Sequence, residues 1–595
     1  MRRELRRKRV KHGWKHRLLA VDIETNPSDG SFICAGVFGD VRRRTSEWVM
    51  GKPRVCYKSD RIDLYLVTQQ ALDDFLLSLQ ENSCMLVFYN LSYDKTYLNN
   101  IIAPYYIDKK TKKPRNPVLK NGNRIISVLL KNGIKGIDLF NHTCEGQLED
   151  WIKYLDMEAK HGVYKASLDN LYERVMNDAR ATYYLGMFLQ DFYYNECSIP
   201  LQMTVGAAAL RIFQQQFFVD FWEREDDFLS MFERQSYCGG RTELFRRGRY
   251  FCHNYDVHSM YVSIMRDCAI PDPASAKYIE NGSRYLDHFG KYLGVYHCRV
   301  TCPADLYLPV LPVKRNGKLL FPTGEFDGFW TSMELQKAIE KGYKIIQCYS
   351  YIYYRISKLY FHDFALFVWN KRQEYRENIG MQKMIKRIGN ALYGKFAQRN
   401  SDDFFGKLSQ CETLPDVCEF IEANGEIWVR IKGELVPAKF EFPCVSSFIT
   451  SYARLKLYEG MEANADSLIY CDTDSMKLTR TIENMSFGGD LGAFGYEGFF
   501  EYSFYRPKFY GPKCKGVPSK AVESYTLEEL ESMGADGLFY KRFKFTKPLR
   551  EREAIRRKLA PNTWLEMTKR VVFSDDKRLW HEDGTSEPIR LEYGA

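Results

Sequence analysis

No stretch of the sequence holds the roughly 18 consecutive apolar residues that a membrane-crossing helix requires, so no membrane insertion is expected. The sixteen cysteines are scattered, and none forms a C-x-x-C pair with a matching second pair or neighbouring histidines. That spacing argues against a structural zinc site and against a disulfide framework, and a reducing cytosol is the compartment that fits it. Internal repeats and low-complexity linkers are missing too. The start, MRRELRRKRVKHGWKHR, is strongly basic, yet no apolar segment of signal-peptide length follows it. It reads as a basic arm, either solvated or laid on nucleic-acid phosphates.

What is present is an ordered composition, 45% hydrophobic and 15% aromatic, in a chain of 595 residues. One hydrophobic core rarely serves a chain of this length, so several domains are expected. Lys plus Arg exceed Asp plus Glu by 86 to 76, a formal net charge of +10 that favours a polyanionic partner.

Strand-like runs occur at RLLAVDIET (Arg17 to Thr25), CMLVFYN (Cys84 to Asn90) and GIKGIDLFNH, and helical periodicity runs from Leu168 to Tyr194. Together they predict an α/β domain of about 190 residues that closes at NECSIP. Beyond it, YCGGRTELF is a glycine-pair loop entering a strand, and FCHNYDVHSMYVSIM is a strand running into a turn or short helix. Residues 267 to 360 are rich in proline, glycine and aromatics, and read as an insertion more than a central core. Phe361 to Ala397 is helical, 400 to 443 is β-rich, and the helix SSFITSYARLKLYEGM leads into LIYCDTDSMKL, a hairpin with Thr473 and Asp474 at its bend.

Carboxylates stand where these apolar strands end, and an unpaired charge there is costly. Asp22 and Glu24 share one face of their strand, Asp94 follows the second strand, and Asp178 lies in the long helix. Four such acids suit two divalent ions and phosphodiester hydrolysis, with Asn90 beside the substrate. A second set closes other strands: Asp256, and Asp472 with Asp474. It suits two ions that activate a 3′ hydroxyl and grip a triphosphate. In KRIGNALYGK, Lys386, Asn390 and Tyr393 share one helical face before Gly394, and Lys383 extends the cationic stripe one turn back. Lys386 would neutralise phosphate, Asn390 would hydrogen-bond and Tyr393 would stack on a base. In RPKFYGPK, Lys508 and Tyr510 fall on one face if the run is extended, a geometry for a primer's terminal phosphates.

Taken together, these residues resemble the family B DNA polymerases of the protein-primed small-phage type, over nearly the whole chain. DIET resembles the first exonuclease motif and YNLSYD the second, and Asp178 matches the aspartate of the third. The resemblance makes Asp22, Glu24, Asp94 and Asp178 metal ligands. YCGGR, with Tyr237, Gly239, Gly240 and Arg241, resembles the segment that contacts template and coordinates the two activities. DVHSMY implies that Asp256 is a metal ligand and that Tyr261 lies under the incoming sugar. KRIGNALYG is similar to the fingers motif, YCDTDS to the last polymerase motif and KFY to the thumb-side Lys-x-Tyr. Asp474 is expected to make the more direct metal contact and Asp472 the less direct one. One departure is Arg174, which stands where the family's third exonuclease motif has tyrosine.

The resemblance implies an α/β and α+β multidomain fold: an RNase H-like 3′–5′ exonuclease domain followed by a right-hand polymerase domain with two insertions. The expected boundaries are an exonuclease domain with a basic arm at 1–197, palm at 198–266, first terminal-protein-region insertion at 267–360, fingers at 361–397, second insertion at 398–443, palm again at 444–535, and thumb with carboxy-terminal region at 536–595. The implied activity is DNA-templated DNA synthesis with proofreading, protein-primed, processive and strand-displacing. It implies Mg²⁺ or Mn²⁺, two ions per site, with deoxynucleoside triphosphates as substrates. The expected partners are primer-template DNA, single-stranded DNA and a terminal priming protein, bound by a monomer in a host cytoplasm. The alternatives are a DNA-primed family B enzyme, a reverse-transcriptase-like nucleotidyl transferase, which leaves Asp22, Glu24 and Asp94 unexplained, and a nuclease with a DNA-binding tail, which leaves Asp256, Asp472 and Asp474 unexplained.

Overall fold

The computed structural model describes residues 3–8, 15–49, 52–122, 124–143, 146–167, 169–401, 403–482, 487–510, 540–572 and 575–593. The expected palm-to-thumb boundary at 535/536 lies outside these described residues. No described helix is long and apolar enough to cross a membrane.

The amino-terminal unit is built on a seven-stranded mixed sheet, in the order Lys52–Leu66, Phe32–Val49, Leu18–Thr25, Met85–Phe88, Lys135–Asp138, Arg124–Leu129, Val118–Asn121. Leu18–Thr25, Met85–Phe88 and Lys135–Asp138 run parallel at its centre. Central strands covered on both faces need continuous apolar sequence, which LLAV and MLVF supply. The helix Leu171–Asn195 lies across the strands Leu18–Thr25 and Phe32–Val49. Its close approach depends on Gly36, where a Cβ would sit 2.5 Å from the Val175 carbonyl oxygen.

The central unit is a six-stranded antiparallel sheet, ordered Thr242–Leu244, Leu468–Asp472, Ser475–Leu478, Gly248–Val257, Phe494–Arg506, Phe509–Tyr510. The helix Pro443–Ala463, buried along most of its length, packs near it. The helical region at 361–397 is two helices, His362–Glu374 and Ile379–Phe396. The regular elements of residues 267–360, expected as an insertion, are mostly strands. Their strands Ala276–Ile279, Lys344–Tyr354, Gly294–Cys302 and Thr323–Thr331 form one sheet whose fifth strand, Arg590–Leu591, comes from the carboxy-terminal end. Trp330 and Tyr296 of that sheet share a continuous core with the helix Pro443–Ala463, and Glu334 ion-pairs with buried Arg454 at 2.6 Å.

The β-rich piece forms a three-stranded sheet from Phe404–Lys407, Glu426–Ile431 and Glu419–Ala423, and it touches two other units. Towards the amino-terminal unit, Tyr105 packs on Phe404 with ring centroids 4.9 Å apart, and its N–H donates to the Gln410 carbonyl at 2.8 Å. Towards the carboxy-terminal segment, Phe405, Ala423 and Trp428 bury Ile555 of the helix Glu551–Arg556.

The described part of the basic start is partly built into the fold, with Arg6 and Arg7 exposed. Arg3–Arg6 is a strand paired antiparallel with Phe221–Arg224, and Leu5 is fully buried. Alternation explains this, because Arg3 and Leu5 point inwards while Glu4 and Arg6 point outwards. Arg3 donates to the fully buried Glu441 at 3.3 Å, which also receives Arg234 and Arg399. Removing the acid from a buried ion cluster leaves uncompensated cations. Glu441→Gln is expected to lower stability by about 3 kcal/mol, seen as a lower melting temperature and as earlier proteolysis of the amino-terminal strand.

Candidate active sites

The hairpin Leu468–Asp472 to Ser475–Leu478 closes on the pair Asp472–Ser475. Thr473 bends it at a φ of 64°, an uncomfortable value for a β-branched residue. The turn is held from outside. Its Thr473 N–H donates to the Arg241 carbonyl at 2.7 Å, and a Cβ at Gly240 would sit 2.7 Å from the Thr473 methyl. This contact is why the glycine pair precedes that strand. Arg454 fixes the same segment by donating to the carbonyls of Cys238 and Gly239 at 2.7 and 2.9 Å.

Asp256 stands directly across the sheet from Ser475, and the Val257 N–H donates to the Asp474 carbonyl at 2.8 Å. Asp256 and the backbone of Asp474 therefore lie at one end of adjacent strands. The Asp472 carboxylate is engaged by protein groups: Lys508 Nζ at 2.5 Å, Tyr470 Oη at 3.2 Å and the hydroxyls of Thr242 and Thr473 at 3.1 Å. Burial raises the pKa of Asp474, opposed chiefly by the charge of Lys386 and reinforced by that of Asp472. On the helix Ile379–Phe396, Lys386, Asn390 and Gly394 are exposed, and Tyr393 stacks on buried Tyr261 at 4.4 Å and 24°. Tyr237 lies close enough to both rings to act on their ionisation.

Three expectations are revised here. Arg241 is 1% exposed, bound to Glu243 at 2.5 Å and to the Pro309 carbonyl at 2.7 Å, so it builds the loop rather than reaching DNA. The run around Lys508 is not extended, because Lys508 has a φ of 65° in the turn after Phe494–Arg506. Tyr510 consequently leaves the face of Lys508 and joins Tyr470 and Phe504 in a buried cluster. Lys383 turns from the stripe to lie 4.4 Å from the ring centre of Tyr154.

The second acidic group lies in the amino-terminal unit. Asp22, Glu24 and Asp178 each place a carboxylate oxygen within 4.8 Å of the others. The strand supplies two of them and the helix seated on Gly36 the third. Asp94, 4% exposed, ends the turn Leu91–Asp94 nearby. Burial, then the charges of Asp178, Asp94 and Glu24, raise the Asp22 pKa well above the usual carboxylate range. Burial and Asp138 do the same to Asp94, and burial with Glu24 pushes Asp178 up to about 6. The cation that opposes this at closest range is Arg174, whose Nε is 2.8 Å from Glu24 Oε1. So much buried acid around one guanidinium fits a site that takes divalent cations. Tyr172 is turned away and meets Tyr65 edge-on at 5.0 Å.

Two groups escaped the sequence reading. Asp138 Oδ1 accepts the N–H groups of Asn90 and Phe140 at 2.9 and 3.0 Å, and so holds Asn90 at its φ of 74°. Its signal was the one that marked Asp22, an acid ending the apolar run GIKGI. Lys165 is close enough to Asp178 to lower its pKa, and no spacing pointed to it.

A family model described as DNA polymerase type B, organellar and viral, matches residues 132–484. The chain is 24% identical over 321 residues to a probable DNA polymerase of Neurospora intermedia, covering 50% of this chain and 32% of that protein. It is 28% identical over 239 residues to the DNA polymerase of Bacillus phage phi29, covering 38% of each. The matches thus span 21–38% of these curated relatives' own length. Among solved structures, phi29 DNA polymerase superposes with a TM-score of 0.66 at 17% identity, over 94% of this chain and 100% of that one. Its complex with primer-template DNA and incoming nucleotide substrates gives the same TM-score and identity. This likeness is one of fold.

Because folded Asp178 titrates near 6 and an unfolded aspartate near 4, the folded metal-free chain takes up a proton in that window. Its stability therefore falls as pH rises from about 4 to about 6, whereas divalent binding, which competes with that proton, strengthens. Titrating Mn²⁺ into an Asp256→Asn, Asp474→Asn background, followed by electron paramagnetic resonance, is expected to show affinity rising steeply between pH 5 and 7. In the same titration, Arg174→Gln removes a competing cation beside Glu24 and is expected to tighten Mn²⁺ binding by about tenfold.

Proposed function

The chain belongs to the organellar and viral type B DNA polymerases, and from that premise we propose that it extends a primer 3′ hydroxyl on a DNA template and removes mispaired ends at a separate 3′–5′ exonuclease site. The observation that carries the reading is the placement of Asp256 and the backbone of Asp474 at adjacent strand ends, with Lys386 acting on Asp474 beside the Tyr261–Tyr393 stack.

Divalent cations, Mg²⁺ in the first instance, would be held by Asp256, Asp474 and Asp472 in one site and by Asp22, Glu24, Asp178 and Asp94 in the other, where they activate a hydroxyl or water and neutralise phosphate oxygens. The protein's own groups do the rest. Lys386 meets triphosphate oxygens from the exposed helical face, and Asn390 hydrogen-bonds one turn on. Tyr393 offers its ring to the incoming base, and Tyr261, packed beneath it, leaves no room for a ribose 2′ hydroxyl. Lys508 lies at the primer end, where a phosphate competes with Asp472 for its ammonium. In the second site Asn90, held by Asp138, positions the strand to be cut.

Protein priming and strand displacement belong to the same proposal. The three-stranded sheet at 404–431 reaches both the amino-terminal unit and the helix Glu551–Arg556, a closure suited to keeping one strand and excluding the other. A terminal protein hydroxyl would then replace the first primer.

Asp474→Ala is expected to lower nucleotide incorporation by more than about a thousandfold while single-strand degradation persists. Asp22→Ala with Asp94→Ala is expected to do the reverse, and loss of both activities in either folded variant would refute two separate sites. On a singly primed circular template carrying a duplex obstacle, synthesis is expected to pass the obstacle without a helicase. Arrest there would remove the strand-displacement reading.

A further inference from the structure

Beside the turn that carries Asp94, three distant parts of the chain meet around a cavity of about 140 Å³ that none of the acids of either group lines. Lys95 and Lys120 come from the amino-terminal unit, Asp403 and Arg430 from the three-stranded sheet and its approach, and Arg550, Glu551 and Arg552 from the carboxy-terminal segment. Five cations thus face two carboxylates, and both acids are already engaged. Glu551 accepts Lys95 at 2.8 Å and Asn99 at 2.8 Å, and Asp403 accepts the Gly433 N–H at 2.7 Å. Arg430 is committed to Glu419 at 2.8 Å.

That leaves Lys120, Arg550 and Arg552. None of the three side chains has a hydrogen-bond or ion-pair partner among the described residues. Arg550 and Arg552 are exposed at the mouth of the cavity, and the charge of Arg552 acts against that of Lys120. Burial and then the charge of Lys95 push the Lys120 pKa down to about 8, and Arg552 is disfavoured by burial and by the charges of Arg430 and Arg556. The charges of Glu551 and Asp403 offset this in part for Lys120, and those of Glu419 and Asp403 for Arg552, so a seam held by apolar contact at Ile555 and by the Lys95–Glu551 pair keeps an excess of positive charge. The group that relieves it is an oxyanion, and the guanidinium forks with an ammonium match the geometry of phosphate.

We propose that this seam is a phosphate-binding site, in which Lys120, Arg550 and Arg552 grip one phosphate and so fasten the amino-terminal unit to the carboxy-terminal segment beside the 404–431 sheet. The phosphate is either a phosphodiester of a DNA strand or free phosphate. The site uses none of the catalytic acids, so its test is independent of theirs.

The test is the melting temperature of the full chain, without divalent ions, in chloride and in inorganic phosphate at matched ionic strength. Wild type is expected to gain about 2 °C in phosphate, and Lys120→Met and the pair Arg550→Gln, Arg552→Gln are each expected to lose that gain. Lys120→Met is also expected to melt higher than wild type in chloride, because the repulsion is gone, and a merely structural lysine would show the opposite. A short single-stranded oligonucleotide that gives the gain in wild type but not in the variants would identify a DNA phosphodiester as the source. A gain from phosphate alone would identify the free anion. An equal phosphate-dependent shift in wild type and both variants, or no shift in wild type with either ligand, would overturn the proposal.

Discussion

A carboxylate carried out of water by an apolar strand must find a cation, a proton or a set of hydrogen-bond donors, and this chain meets that constraint repeatedly. Asp22, Asp138 and Asp472 each lie at or near the end of a mostly buried strand, and Asp256 lies at the buried end of a strand that starts exposed. The strands supply rigidity, so each acid arrives at a defined place. The sheets decide which acids meet. Parallel pairing brings the ends of Leu18–Thr25, Met85–Phe88 and Lys135–Asp138 to one side of the first sheet, and antiparallel hairpin pairing brings Asp256 beside the backbone of Asp474 in the second.

The two acidic groups answer the same constraint differently. In the hairpin, Lys508 satisfies Asp472 directly and Lys386 acts on Asp474 from across the cleft. Both lysines sit on long side chains, so a phosphate can draw either away without moving backbone. In the amino-terminal group, Arg174 pairs with Glu24 from within the same helix that carries Asp178. Four residues on a helix advance about one turn, so Arg174 and Asp178 stand on one face of it. The charge balance there is set between one helix and one strand, and the balance at the hairpin by lysines brought from two separate elements.

Much of this was legible in the sequence because it depends on local pattern. A buried strand that ends in acid, a helix with Lys386, Asn390 and Tyr393 in register, and a glycine pair before a strand are all readable over ten residues or so. What escaped depends on contacts between distant segments. Arg241 belongs to a motif that suggests DNA, yet Glu243 two residues on and Pro309 far along the chain claim its guanidinium. Tyr510 reads as exposed in an extended run, but the positive φ at Lys508 turns it into the cluster around Tyr470. The basic start looks free until Arg3 meets Glu441, hundreds of residues away. No local window holds both halves of such a pair.

The same separation explains how the two groups of acids are mechanically joined. Lys95 directly follows Asp94 in the chain, is 2% exposed, and ion-pairs with Glu551 of the carboxy-terminal helix. That helix in turn buries Ile555 against the sheet at 404–431, whose strands leave and rejoin the chain between the helix bearing Lys386 and the helix that leads into the hairpin. The carboxy-terminal segment is thus tied to the surroundings of Asp94 through Lys95 and Asn99, which both donate to Glu551, and through Asn562, which donates to the Tyr93 carbonyl, and to the hairpin's surroundings through the stem of the sheet. Because a buried pair is costly to break, Lys95 and Glu551 resist separation of the amino-terminal unit from the carboxy-terminal helix.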